Sequence, residues 1–247
     1  MSGQSGRCDF TREGAGDGQP DLLEGAFRPT TEGIGFIAAP HRAVADAFVA
    51  WQAPIQAGRT QPVRLRTAPI EGSLRSALQA LAPLTSVEPR RFLFAPTTCE
   101  WTVYFENRWP APDAYAVPTR LGELLGVPVV RFVCAHQGPR TKFGAYVLER
   151  FGPGPRRTVS LVNDGGRWGF DEIGSPLPFE DAERYRARRP TDRFDAALLV
   201  RYAGILGIRA LEHDFYFPAG TAGVLVEKLG PDAPGLCEHD WSSTDPR

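Results

Sequence analysis

The chain has 247 residues, 42% of them hydrophobic and 23% charged, and a formal net charge of −1. Those proportions are ordinary for a globular protein, and the near-zero charge excludes a long-range field that would gather nucleic acid or anionic lipid. No run reaches 18 uninterrupted apolar residues and the first ten residues lack an apolar core, so no membrane span or secretory signal is expected and the expected compartment is the cytoplasm.

Lys142 and Lys228 are the only lysines among 28 basic residues. That skew, with abundant Ala, Gly and Pro, is what a GC-rich coding sequence produces, and it weakens any arginine cluster as a sign of phosphate recognition. Cys8, Cys99, Cys134 and Cys237 are too dispersed for a disulfide framework. Cys99 and Cys134 fall in apolar, strand-like runs and read as small core residues.

Residues 1–33 hold seven glycines and few bulky apolar side chains (Leu22, Leu23, Phe27), too little to offset ordering entropy, and are expected to form a disordered tail. Residues 230–247 repeat that composition. Between them, 34–229 is expected to be one domain. Ile34–Ala39 reads as a strand stopped by Pro40. Ala43, Val44, Ala47, Phe48 and Trp51 then recur on one helical face, with Gly58 beyond them. A strand over Val63–Ile70 precedes a helix capped by Ser73 that presents Leu74, Ala77, Leu78 and Leu81.

The middle is β-rich: Phe92–Ala95 and Cys99–Glu106, the latter with Trp101, Val103 and Phe105 on one side. Thr119–Leu125 reads as a short helix ended by Gly126, followed by strands over Val129–Cys134 and Phe143–Phe151. Thr158–Val162 and Arg167–Glu172 form a hairpin about Asn163–Gly166, a turn rich in residues that tolerate positive φ. Phe179–Arg188 predicts a charged helix, Phe194–Leu206 a longer one, and Ala222–Leu229 a last strand. Helices before, among and after mostly antiparallel strands define an α+β fold with a single core.

Chemistry-bearing residues are sparse. His136 lies two positions after Cys134, so both project to one side of a continuing strand, the spacing of a nucleophile and base; the plainer reading is a buried thiol beside a loop histidine. Glu212–Asp214 and Cys237–Asp240 carry ligand-type side chains in adjacent rather than helical spacing, and are read as non-metal. Gly14–Gly18 has no strand before it, and no phosphate-binding loop or nucleophile elbow occurs, so no cofactor is expected. The densest charge, residues 179–193, holds five arginines against four acids, a solvated helix rather than a polyanion stripe. Arg184 and Arg188 share a face of that predicted helix. Arg108 and Trp109, beside Pro110, combine the residue types of binding hot spots.

Trp101 to Asn107, the Asn163–Trp168 turn, and Pro178–Glu180 through Glu183–Arg189 to Asp192–Phe194 together resemble a group of uncharacterised bacterial α+β proteins over approximately Ile34 to Tyr216. The resemblance implies the fold class and carries no activity or site residue. Small intracellular proteins of this general kind include toxin-neutralising immunity proteins. The leading expectation is therefore a non-enzymatic protein-binding role, immunity-type or accessory, through Arg108, Trp109, Arg184, Arg188 and Arg189. The rival expectation is an enzyme or small-ligand binder whose site is assembled from His136, Glu100 and Arg140.

Overall fold

The computed structural model describes residue 23 and residues 27–110, 113–137 and 143–241. In chain order the elements are β1 (Gly33–Ile37), α1 (His41–Ala57), β2 (Arg64–Ile70), α2 (Leu74–Gln79), β3 (Leu84–Thr85), β4 (Arg91–Pro96), β5 (Thr102–Glu106) and α3 (Ala116–Leu125). There follow β6 (Val129–Ala135), β7 (Phe143–Phe151), β8 (Arg157–Asp164), β9 (Trp168–Ile173), α4 (Pro190–Arg193), α5 (Ala196–Ile205), β10 (Gly223–Leu229) and β11 (Glu238–His239).

Among the described residues nine strands form one antiparallel sheet in the order β2-β10-β4-β5-β1-β6-β7-β8-β9, and β3 pairs with β11 in a second small sheet. β1 is buried along its whole length at the centre. Its alternate residues face opposite ways. Ile34 and Phe36 join Leu93, Val103, Phe105 and Phe132 in a core closed by α2 and α5. Ile37 joins Phe92, Phe94, Tyr104 and Val129 in a second core under α1 and α3, through Val44, Phe48 and Leu121. The sheet thus has an α5 side and an α1 side.

Local signals explain where the elements begin and end. Ser73 Oγ accepts from the Ser76 N–H at 3.3 Å and Ser76 Oγ from the Ser73 N–H at 3.0 Å, a reciprocal cap on α2. Asp195 Oδ1 accepts from the Leu198 N–H at 2.7 Å and opens α5. Gly126 ends α3 with φ +66°, the left-handed conformation a Cβ disfavours. In the β8–β9 hairpin Gly165 takes the positive φ, +94°, so β8 continues through Asn163 and Asp164.

Three expectations are corrected. Residues 179–188 are not a helix: the described structure is a single 3-10 turn at Arg184–Arg186, after which Ala187 is extended (φ −55°, ψ 148°). The chain is held there by inward-pointing Glu180 and Tyr185, five residues apart, a spacing that does not repeat on one helical face. Second, the body reaches past both expected limits. Leu23 and Phe27 are buried, and residues 230–241 fold back so that β11 pairs with β3 and Trp241 meets the Phe27 ring edge-on at 5.2 Å. Third, Cys99 is exposed in the turn between β4 and β5, whereas Cys134 is buried as expected.

Candidate functional site

The residues proposed for a catalytic site do not meet. In register, Ile37 at one end of β1 opposes Thr102, and Gly33 at the other end opposes Val133. Glu100, just before β5, and His136, just after β6, therefore lie at opposite ends of the sheet, about 20 Å or more apart at strand rise. Arg140 lies outside the described residues.

Cys134 and His136 do come together. The thiol sulfur is 3.8 Å from Nε2, and Nδ1 is 3.0 Å from the Tyr146 hydroxyl. Tyr146 in turn stacks on Trp168, ring centroids 5.8 Å apart and 5° from parallel. Cys134, however, is 2% exposed and belongs to the α5-side core. This cluster buttresses the end of the sheet, and its thiol has no open path to a substrate.

Glu100 instead lines an open cleft of about 340 Å³ with His41, Cys99, Pro40, Pro96 and Pro218. Thr97 and Thr102 at its edge are committed to the carbonyls of Trp101 and Ala39, each at 2.5 Å. His41 Nε2 is buried without a hydrogen-bond partner, and burial lowers the imidazole pKa. Among the described residues no group of three or more His, Cys, Asp and Glu side chains is arranged to hold a metal ion.

The residues expected to bind a partner are scattered. Trp109 is half-buried, its ring 5.1 Å from that of His239 in the returning C-terminal segment. Arg108 donates to the Val87 carbonyl at 3.3 Å. Arg184 is structural: its guanidinium pairs with Asp195 and bonds the Asp192 carbonyl, tying the 3-10 turn to the start of α5. Arg188 and Arg189 are exposed, and with the helix gone Arg184 and Arg188 no longer share a face.

A surface that the charge pattern did not mark lies on the α1 side. α1 packs over β2, β10, β4 and β5, and α3 over β1 and β6. Tyr115, just before α3, ends this cover: its ring meets Phe151 edge-on at 5.1 Å and lies 5.9 Å from the Arg131 guanidinium. Beyond that line the outward positions run in register, Val133–Val147–Ser160–Asp171 and Ala135–Ala145–Val162–Gly169, with Phe143 opposite Asp164. Phe143 is 63% exposed, Ile173 48% and Val162 40%. A solvated face of an antiparallel sheet ordinarily alternates to polar residues; here the outward residues of β6 and β7 beyond the Arg131–Glu149 ion pair are Val133, Ala135, Phe143, Ala145 and Val147, of which Phe143 is exposed, Val147 is buried and the others are half-buried. The sequence signal was present as missing alternation: Val129–Ala135 and Phe143–Leu148 read as strands covered on both sides.

Comparison with known protein families, curated proteins and solved structures gives no match. Among the described residues no helix is long and apolar enough to cross a membrane.

Proposed function

We propose that this is a protein-binding protein, of immunity or accessory type, that docks its partner on the open α1-side face of β6–β9. The observation that carries this reading is the row of outward apolar side chains, Phe143 and Val162 exposed with Val133, Ala135 and Ala145 half-buried, on a strip of the sheet over which no described helix packs. Contiguous exposed apolar surface is costly in water and characteristic of interaction sites. The partner surface expected from Arg108, Trp109 and Arg184 is not favoured, because each is engaged within the chain; Arg188 and Arg189 remain as solvated neighbours of the fold.

The test is affinity capture from native cell extract with the full chain and with a Phe143→Glu, Val162→Glu double variant, both checked for unchanged thermal unfolding. The reading expects one stoichiometric partner on the wild type and its loss on the variant. Identical captures, or none on either, would contradict it.

A second reading has one observation in its favour: the cleft of about 340 Å³ that gathers His41, Cys99 and Glu100 is within the size range of small-ligand pockets. A ligand there would shield Cys99 from thiol reagents.

A further inference from the structure

Lys228 is one of only two lysines among 28 basic residues, and the only one among the described residues. Next to last in β10, it follows Val226 of the α1-side core by two positions, so its side chain turns under the sheet. The residue is 9% exposed. Its Nζ lies 3.2 Å from Glu88 Oε2 and 5.5 Å from the centre of the Phe92 ring. The same carboxylate takes Arg59 at 3.0 Å and has Arg90 at 3.9 Å, and Arg90 also pairs with Asp232 at 3.1 Å. Three cations thus crowd one carboxylate. Burial holds the Lys228 ammonium below its usual pKa; Arg59 and Arg90 push the same way, against the pull of Glu88.

Glu88 is placed by a strained turn. Its N–H donates to the Ser86 carbonyl at 2.7 Å across Val87, whose φ is +67°. That is a γ-turn of the rare kind, centred on a β-branched residue that disfavours it. Thr85 Oγ1 steadies the turn by donating to the Glu88 carbonyl at 2.8 Å. Strain of this sort is a pointer to function. The corner also holds a cleft of about 170 Å³, with Lys228, Arg90, Arg91 and Asn107 in its wall. That is below the range of drug-sized pockets and suits a substrate of few heavy atoms. A desolvated amine beside other cations is the arrangement that activates lysine for attack on a carbonyl carbon. Arginine at this position would keep the charge and lack that chemistry.

We propose that Lys228 is a reactive amine that condenses with small aldehydes to a Schiff base, Glu88 carrying the proton it must give up. The ammonium passes one proton to Glu88, and Nζ bonds to the carbonyl carbon. The former carbonyl oxygen takes one proton from the adding nitrogen and the one held by Glu88, and leaves as water. One iminium and one water result, with no oxidant or reductant. The inference is independent of the protein-binding reading. It is tested by treating the full chain with acetaldehyde and sodium cyanoborohydride, which fixes the imine as a secondary amine, in the native state and in guanidinium chloride. Adduct at Lys228 is counted by peptide mass spectrometry against an added lysine peptide. The native rate is expected to exceed the unfolded rate about tenfold at neutral pH, and the ratio to shrink as pH rises toward the ordinary lysine pKa of about 10.4. A native rate equal to or below the unfolded one overturns the proposal and leaves Lys228 a structural ion-pair partner. A ratio indifferent to pH overturns it too.

Discussion

Arg157 and Glu180 form a two-pronged ion pair with neither side chain exposed: Nη2 lies 2.6 Å from Oε2 and Nε lies 2.9 Å from Oε1. The guanidinium also reaches Glu172 at 2.7 Å and the Gly174 carbonyl at 2.7 Å, while Glu180 accepts from Tyr185 Oη at 2.9 Å and the Leu177 N–H at 2.9 Å. Tyr185 Oη, its own proton given to Glu180, accepts in turn from Tyr202 Oη at 3.0 Å. One buried pair thus pins the irregular segment 174–186 across β8 and onto α5.

Removing Arg157 strands the buried Glu180 carboxylate, so Arg157→Met is expected to cost about 3–5 kcal/mol, and Glu180→Ala less, because Glu172 still pairs with the guanidinium. Replacing both, Arg157→Met with Glu180→Leu, is expected to cost clearly less than the two single changes added together, because no unpaired charge remains. Urea unfolding of the four-member cycle measures this. A single change costing under about 1 kcal/mol would show that the pair is not the anchor.

Glu106 gives the protein a pH-dependent element. Tyr104 Oη donates to its Oε2 at 2.7 Å and the Asp113 N–H to its Oε1 at 2.7 Å. Burial nonetheless holds the carboxyl above its ordinary range, outweighing those hydrogen bonds. The folded chain therefore binds this proton more tightly than the unfolded one. The contribution is complete below the usual carboxylate pKa of about 4.3 and is lost as pH rises through the folded value. Glutamine keeps the shape, an acceptor for Asp113 and a donor for Tyr104. Glu106→Gln is expected to gain stability relative to the wild type as pH rises from 4 to 8, read by chemical denaturation at each pH. A constant or shrinking gap would contradict this.

Two helical glycines are expected to respond oppositely to alanine. A Cβ on Gly122 in α3 would lie 2.3 Å from Val129 Cγ2, whereas one on Gly204 in α5 meets nothing within 4 Å. Alanine gains about 1 kcal/mol in helix propensity at either place, but overpacking at Gly122 costs about 1–3 kcal/mol. Gly122→Ala should lower the melting temperature and Gly204→Ala raise it. Shifts of the same sign would refute the close packing of α3 on β6.

Cys99 is exposed and Cys134 is 2% exposed. A maleimide or disulfide reagent is expected to modify Cys99 within the native state and Cys134 only as fast as the chain unfolds, resolved by peptide mass spectrometry. Comparable rates would mean that the Cys134–His136 pair is open to solvent. Slowing of Cys99 by an added small molecule would favour the cleft as a ligand site.

Much of the sheet was legible because its signals are local. Apolar runs, the Ser73 cap, Gly126 and the Asn163–Gly166 turn each depend on neighbours in sequence. What escaped depends on distant partners. Residues 179–188 looked helical because Glu180 precedes Arg184 by four, yet Glu180 turns inward to Arg157, 23 positions away. β10 enters between β2 and β4, a pairing that no local pattern encodes. The β6–β9 face was hidden for a related reason: the apolar runs of β6 and β7 reveal that both sides seek cover, and only the placement of α3 reveals over which side the described helices stop short.

The most direct measurement is oxidative footprinting of the full chain, alone and in native extract, read at Phe143, Tyr115 and Trp109. Docking on β6–β9 predicts that Phe143, 63% exposed in the chain alone, becomes protected while Trp109 labels unchanged. Protection at Trp109 with Phe143 still freely labelled would place the partner elsewhere and contradict the account.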